Sequence, residues 1–201
     1  MKKILVTMAA LSIVSSAAMA APITDLQKGE SVVGYSYWNT KIKANSFDFG
    51  KTGSNGFYAE TGISDKFIVG VETMKGDKSA DLYGVHISAD TRFTDVSLKY
   101  KIDKNVQLIA GNRNYDTNLS VGGYSDSEST NKFFYGIGAS TEIGENTSAY
   151  ASIIHNNIAD DWQVGVSHNL SKNTVLNVNY RYYDEDYATL KGFGAGIAYK
   201  F

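Results

Sequence analysis

Three groups of residues have types and spacings that could do chemistry, and each implies a different kind. His86 and Ser88 form a His-x-Ser pair. A serine nucleophile needs an imidazole within hydrogen-bond reach and a carboxylate beyond it to orient the ring, and the sequence fixes no third residue beside this pair. Asp160–Asp161 and Asp184–Glu185–Asp186 are oxygen-rich runs that could hold calcium, but no EF-hand spacing accompanies them. They read as solvated connections, so no metal ligand is assigned, and no cofactor is expected. His155 and His168 fall beside a connection and a turn, as exposed histidines do. The third group is set by alternation, which puts Glu60, Glu72, Asp95 and Glu142 on one face with Lys99, Arg113, Arg181 and Lys200. The two signs cancel. In a confined interior such charges pair, because an isolated buried ion is costly.

A face exists only if the chain is extended, and the apolar residues recur with a period of two. From Lys132 to Ile143, Phe133, Tyr135, Ile137 and Ala139 alternate with Phe134, Gly136, Gly138 and Ser140. Phe67, Val69 and Val71 alternate with Ile68, Gly70 and Glu72. Val96, Leu98 and Tyr100 alternate with Asp95, Ser97 and Lys99, and Leu176, Val178 and Tyr180 with Asn177, Asn179 and Arg181. A half-buried soluble sheet gives the same alternation, so the connections must separate the readings.

Four short connections share one local pattern, an aliphatic residue followed by small, acidic or basic ones: Ile63–Lys66, Ile102–Asn105, Ile143–Asn146 and Leu170–Asn173. Between them lie longer polar stretches near 39 to 56, 75 to 81, 116 to 131, 156 to 161 and 184 to 189. Short turns alternating with long loops is the layout of a membrane β-barrel. The sequence therefore predicts an all-β fold, a transmembrane antiparallel up-and-down barrel of ten strands, with eight or twelve as alternatives. The alternation changes phase between Ile87 and Arg92, which predicts a bulge at 88 to 91 or an extra hairpin above the membrane. Aromatic residues fall at strand ends, with Tyr37, Trp38, Tyr58, Trp162, Tyr182 and Phe193 on the loop side and Phe67, Tyr100, Tyr199 and Phe201 on the turn side. Two girdles are expected.

Residues 1 to 20 have the layout of a secretory signal: Lys2 and Lys3, an apolar stretch from Ile4 to Val14, then Ala18-Met19-Ala20 before a cleavage expected between Ala20 and Ala21. The apolar stretch is too short to span a bilayer as a helix, which takes ~20 residues. The remaining 21 to 201 form one domain. They carry 17 basic against 21 acidic side chains, which gives no positive field for nucleic acid. Cysteine is absent, excluding disulfides and thiolate chemistry. The single proline, Pro22, stands outside the predicted strands, where it deletes no ladder hydrogen bond.

The last strand, Lys191 to Phe201, ends on Phe201 with Tyr199, Ile197 and Phe193 on the same face. It resembles the C-terminal insertion signal of bacterial outer-membrane barrels, and with the leader the chain resembles small outer-membrane proteins of the OmpX, OmpW and opacity-protein kind. That resemblance implies a cell outer-membrane location, delivery by periplasmic chaperones and the barrel-assembly machinery, and contact with outer-membrane lipid and lipopolysaccharide. An even strand count puts both termini in the periplasm. The function expected is a porin-like or structural barrel with a narrow salt-bridged lumen and surface-displayed loops, not an enzyme. The alternatives are an adhesion protein using 39 to 56 and 116 to 131 toward an unknown external ligand, and a lipid-modifying enzyme, since His86 with Ser88 faintly resembles the catalytic pair of outer-membrane lipid A deacylases.

Overall fold

In the computed structural model ten antiparallel strands close into a barrel. The structure describes residues 25–44, 47–82, 84–157, 159–185 and 188–201; the expected leader and its cleavage site at Ala20 and Ala21 lie outside them. The strands are β1 (Ser31–Ala44), β2 (Phe47–Gly62), β3 (Phe67–Leu82), β4 (Val85–Lys101), β5 (Val106–Val121), β6 (Tyr124–Gly144), β7 (Thr147–Asn156), β8 (Ala159–Asn169), β9 (Thr174–Glu185) and β10 (Ala188–Lys200). Each pairs with its sequence neighbour, and β1 pairs with β10 from Val32↔Lys200 to Ala44↔Ala188 to close the ring.

The four short turns sit where the sequence puts them, and side chains hold three of them. Ser64 Oγ accepts from the Lys66 and Phe67 amides at 3.2 and 3.0 Å. Asp103 Oδ1 accepts from Asn105 and Val106 at 2.7 and 2.9 Å, and Ser171 Oγ from Asn173 and Thr174 at 3.2 and 3.1 Å. This is why the residue after the aliphatic one is Ser or Asp, which turns the backbone back on itself with its own oxygen. The fourth turn instead uses Asn146 in the left-handed region, at φ 59°.

The other ends differ from expectation. Of the stretches at 39 to 56, 75 to 81 and 116 to 131, the described residues 39 to 44, 47 to 56, 75 to 81 and most of 116 to 131 are not long loops but continued strands. β5 and β6 meet across Gly122-Gly123, with Val121 opposite Tyr124 and both glycines at positive φ. A transmembrane β-strand needs ~9 to 11 residues, whereas β4 has 17 and β6 has 21, so these hairpins stand well beyond any bilayer. There is no bulge at 88 to 91 either. Ile87, Ala89, Thr91, Phe93 and Asp95 all face inward in unbroken alternation. The chemistry changes rather than the geometry. Within the band occupied by Val96 and Leu98 the outside is apolar and the inside polar. Toward the hairpin tips the outside carries Asp90 and Arg92, and the inside packs Ile42, Ile87, Ala89, Tyr183 and Leu190 into an apolar cluster. Once a strand leaves lipid for water, the hydrophobic effect requires the reverse pattern.

Outward Phe67 and Tyr100 pack at 5.2 Å between ring centroids on the turn side, and Tyr199 and Phe201 lie 6.2 Å from each other at the same end of the barrel. Trp162, Tyr182, Tyr37 and Phe193 are outward on the hairpin side. Trp38 and Tyr58 leave the expected girdle, because both point into the barrel and are buried.

Candidate functional site

With strand parity fixed, the inward charges meet where register places them. Asp95 on β4 is directly opposite Arg113 on β5, and the guanidinium grips it with two bonds of 2.8 Å, from Nε to Oδ1 and from Nη2 to Oδ2. On the other side Arg181 of β9 donates from Nε to Asp161 of β8 at 2.7 Å and from Nη2 to the other oxygen. Arg113 Nη2 is 3.9 Å from that same Asp161 oxygen, so the two pairs join into one cluster across the lumen. Aromatic rings cover what the carboxylates do not. The Arg113 guanidinium carbon is 5.4 Å from the centroids of Phe93 and Phe134 and 5.8 Å from Tyr115, and that of Arg181 is 5.5 Å from Trp38. Lys99, wholly buried, pairs with Glu60 nearer the turns, and Glu72 faces Asp95 across the strand pair.

Six of the eight expected lumen residues, Glu60, Glu72, Asp95, Lys99, Arg113 and Arg181, are thus buried together. The other two are not. Glu142 has inward parity but lies exposed at the turn end, on a polar recess of about 430 Å³ shared with Asn105, Ser140 and Ser148. Lys200 is half-exposed at the same end, where its Nζ lies 3.2 Å from Glu30. Parity assigns a face, and both residues sit too close to the rim for the face to bury them.

Two parts of the site are absent from the sequence reading. Asp161 reads there as a solvated neighbour of Asp160, yet it shares parity with inward Gln163 and Ser167 against outward Trp162, Val164 and Val166, a signal sufficient to find it. The second part is a strap ahead of β1. Leu26 is wholly buried in the turn-end mouth, among Val32, Tyr58, Ile68 and Ala198. Lys101 Nζ donates to Asp25 Oδ1 and to the Leu26 carbonyl, both at 2.8 Å. The strap lies so close to β2 that a Cβ on Gly62 would sit 2.1 Å from the Gln27 carbonyl oxygen. Gly62→Ala should therefore expel the strap and cost ~1 to 3 kcal/mol, read as faster protease cutting ahead of Ser31 and a lower urea midpoint. Acid should loosen the same contact. The Glu30 carboxyl is held below its ordinary value, chiefly by the Gln27 amide and also by Lys200. A depressed acid contributes stability above about pH 4 that is lost as pH falls through its folded value.

The interior is consequently filled in layers: the strap cluster, the Glu60–Lys99 pair, the Arg–Asp cluster with Trp38, Met74 and Phe93, and the apolar cluster under the hairpins. The gaps beside Trp38 and Arg181, and beside Tyr58 and Glu72, are about 10 Å³ each, room for at most one water.

Among the described residues neither hydrolase nor metal geometry assembles. His86 Nδ1 bonds Asp81 at 2.8 Å rather than Ser88, His155 bonds Asp160 at 2.7 Å, and His168 bonds Thr147 at 2.9 Å. Among the described residues no three acidic or imidazole groups converge as a metal site.

A closed ten-stranded barrel that is apolar outside across one band and charged within defines a membrane β-barrel. The profile of the outer membrane protein beta-barrel domain matches residues 6–163, and the chain belongs to that family, a multi-pass barrel of the outer membrane. No curated protein sequence matches it. Among solved structures it is similar to the translocator domain of the autotransporter NalP from Neisseria meningitidis, at a TM-score of 0.58 and 8% identity over 87% of this chain and 89% of that one. The beta domain of the Bordetella autotransporter Brka gives 0.50 and 11%, over 87% and 100%. The attachment invasion locus protein Ail of Yersinia pestis gives 0.48 and 16%, also over 87% and 100%. At these identities the likeness to the two autotransporter domains is one of fold.

Proposed function

We propose that this protein is a structural barrel with a sealed lumen, standing in the outer membrane with its turns and both termini in the periplasm and its long hairpins outside. The layered interior carries the reading. A solute would have to break the Arg113–Asp95 and Arg181–Asp161 bonds and displace the aromatic rings stacked on them. Outward Phe193, Ile197 and Tyr199 on β10, with Phe201 just after it, supply the surface that the barrel-assembly machinery would read after delivery by periplasmic chaperones. The refolded protein in a planar bilayer should show no steady conductance in moderate salt. Stable single-channel steps from the wild type would replace this reading with a small-solute pore.

One observation favours a second role, adhesion or interaction through the hairpins. Among the described residues β6 pairs with β7 only from Phe134 onward, so Tyr124 to Phe133 has a strand partner there on one side alone, with Tyr124 85% exposed at its tip. An open strand edge is a place where an extended segment of another protein can add. Loss of cell or matrix binding on deleting residues 116 to 130, with the barrel still folded, would identify it.

A further inference from the structure

Outside the lumen several like charges stand directly opposite each other, Lys75 and Arg92, Asp77 and Asp90, and Asp160 and Asp184 among them, and one such arrangement runs across three strands. Lys41 on β1 is directly opposite Lys191 on β10 and directly opposite Lys51 on β2, so three lysines stand side by side on adjacent strands. Like charges directly opposite in a sheet destabilise it. All three point outward, with the parity of Tyr35 and Tyr37 on β1 and of Phe193 and Ile197 on β10. Asp48 answers Lys41 at 2.6 Å. Among the described residues Lys51 and Lys191 have no acidic group within 4 Å, and Asp184, the nearest acid on β9, is opposite Thr189 and engages Tyr182. The height is also fixed. Lys191 lies two residues beyond outward Phe193, and the row continues sideways through Tyr182 and Trp162, the aromatics that mark the hairpin-side interface.

We propose that Lys191, Lys41 and Lys51 bind the phosphorylated headgroup of an outer-leaflet glycolipid. Adjacent strands are ~4.8 Å apart, so the row spans roughly 10 Å, and its flexible stems can close on two phosphates carried by one headgroup. The three lysines, with Asp48 shared between Lys41 and outward Lys43, leave at least two positive charges to be neutralised there, which suits a bis-phosphorylated lipid better than a zwitterionic or singly charged one. Neutralising the row removes the repulsion, which gives the barrel a reason to keep it. The assignment to the outer leaflet rests on the orientation proposed above.

The test is a titration of the folded, leader-free chain in zwitterionic detergent, read by native mass spectrometry. The probes are bis-phosphorylated lipid A, its monophosphorylated form and phosphatidylglycerol. The K41Q/K51Q/K191Q variant should bind the bis-phosphorylated lipid on the order of 100-fold more weakly, the product of three lysines at a membrane surface. K66Q/K104Q/K172Q, which removes the same charge from the turn end, should bind as wild type does. K41R/K51R/K191R should retain binding, and heat-modifiable gel mobility checks that each variant is folded. Equal loss in both glutamine variants, no loss in the row variant, or equally tight binding of either singly phosphorylated lipid would overturn the proposal. Maleimide labelling of Tyr124→Cys on intact cells reads orientation separately. A shielded cysteine would overturn the outer-leaflet assignment, while the micelle titration still judges the row.

Discussion

Replacing Arg113 with alanine should destabilise the barrel by ~3 to 5 kcal/mol, the usual consequence of leaving a buried carboxylate without its partner. Arg113 is wholly buried, holds Asp95 with both arms and approaches Asp161 as well. Its loss strands Asp95 beside Glu72, two acids directly opposite on neighbouring strands. Arg181→Ala should cost less. Its partner Asp161 retains Arg113 at 3.9 Å, a second cation already in place. The order of the two variants in urea unfolding from lipid vesicles, Arg113 below Arg181 and both below wild type, is the distinguishing result. Conductance in either variant but not in wild type would show that the cluster seals the lumen as well as bracing it. Two variants as stable as wild type would mean that the pairs barely repay their own desolvation.

The second large effect lies on the opposite face. Leu98→Arg puts a cation into the apolar band and should cost ~2 to 4 kcal/mol if Leu98 sits near the bilayer midplane. Val96, 60% exposed and two residues along the same face, should behave similarly. Tyr124→Arg adds the same charge at a hairpin tip in water and should cost nothing measurable. Refolding yield and urea midpoint in vesicles would compare the three. Equal tolerance would place the hydrocarbon band elsewhere on the barrel.

Much of this architecture is legible in the sequence, because lipid enforces period-two alternation more strictly than water does and the turns carry their own oxygen caps. Parity alone finds the faces of Glu60, Asp95, Arg113 and Arg181. Height is what parity lacks. Glu142 and Lys200 have the inward phase but end at the rim, Trp38 is next to outward Tyr37 but on the inner face, and Tyr58 points inward to the turn-end cluster around Leu26. The hairpins are misread as loops for a related reason. Ser and Asn, with Asp, Thr and Gly, dominate residues 112 to 132, and an extended strand with water on its outer face needs no apolar residue there to remain a strand. The phase change near Ile87 is the sequence trace of leaving the membrane, and a scale that scores only hydrophobicity takes it for a break in the strand. Asp25 and Leu26 show no strand pattern at all, and their burial depends on a mouth that exists only after closure.

The seam between β1 and β10 also sets the order in which the molecule can form. It joins residues 32 to 44 with 188 to 200, close to the largest sequence separation the described chain allows, whereas every other strand pairing is between sequence neighbours. So distant a pairing forms slowly, because the loop entropy is lost before the bonds are gained. Export delivers β1 first, and it must wait with one unsatisfied edge until the last thirteen residues of the final strand arrive. Neither the strap's mouth nor the Arg–Asp cluster is complete before that moment. A chain shortened by β10 would be an open sheet with two bare edges rather than a slightly weakened barrel, so losses in this protein should fall between nothing and everything.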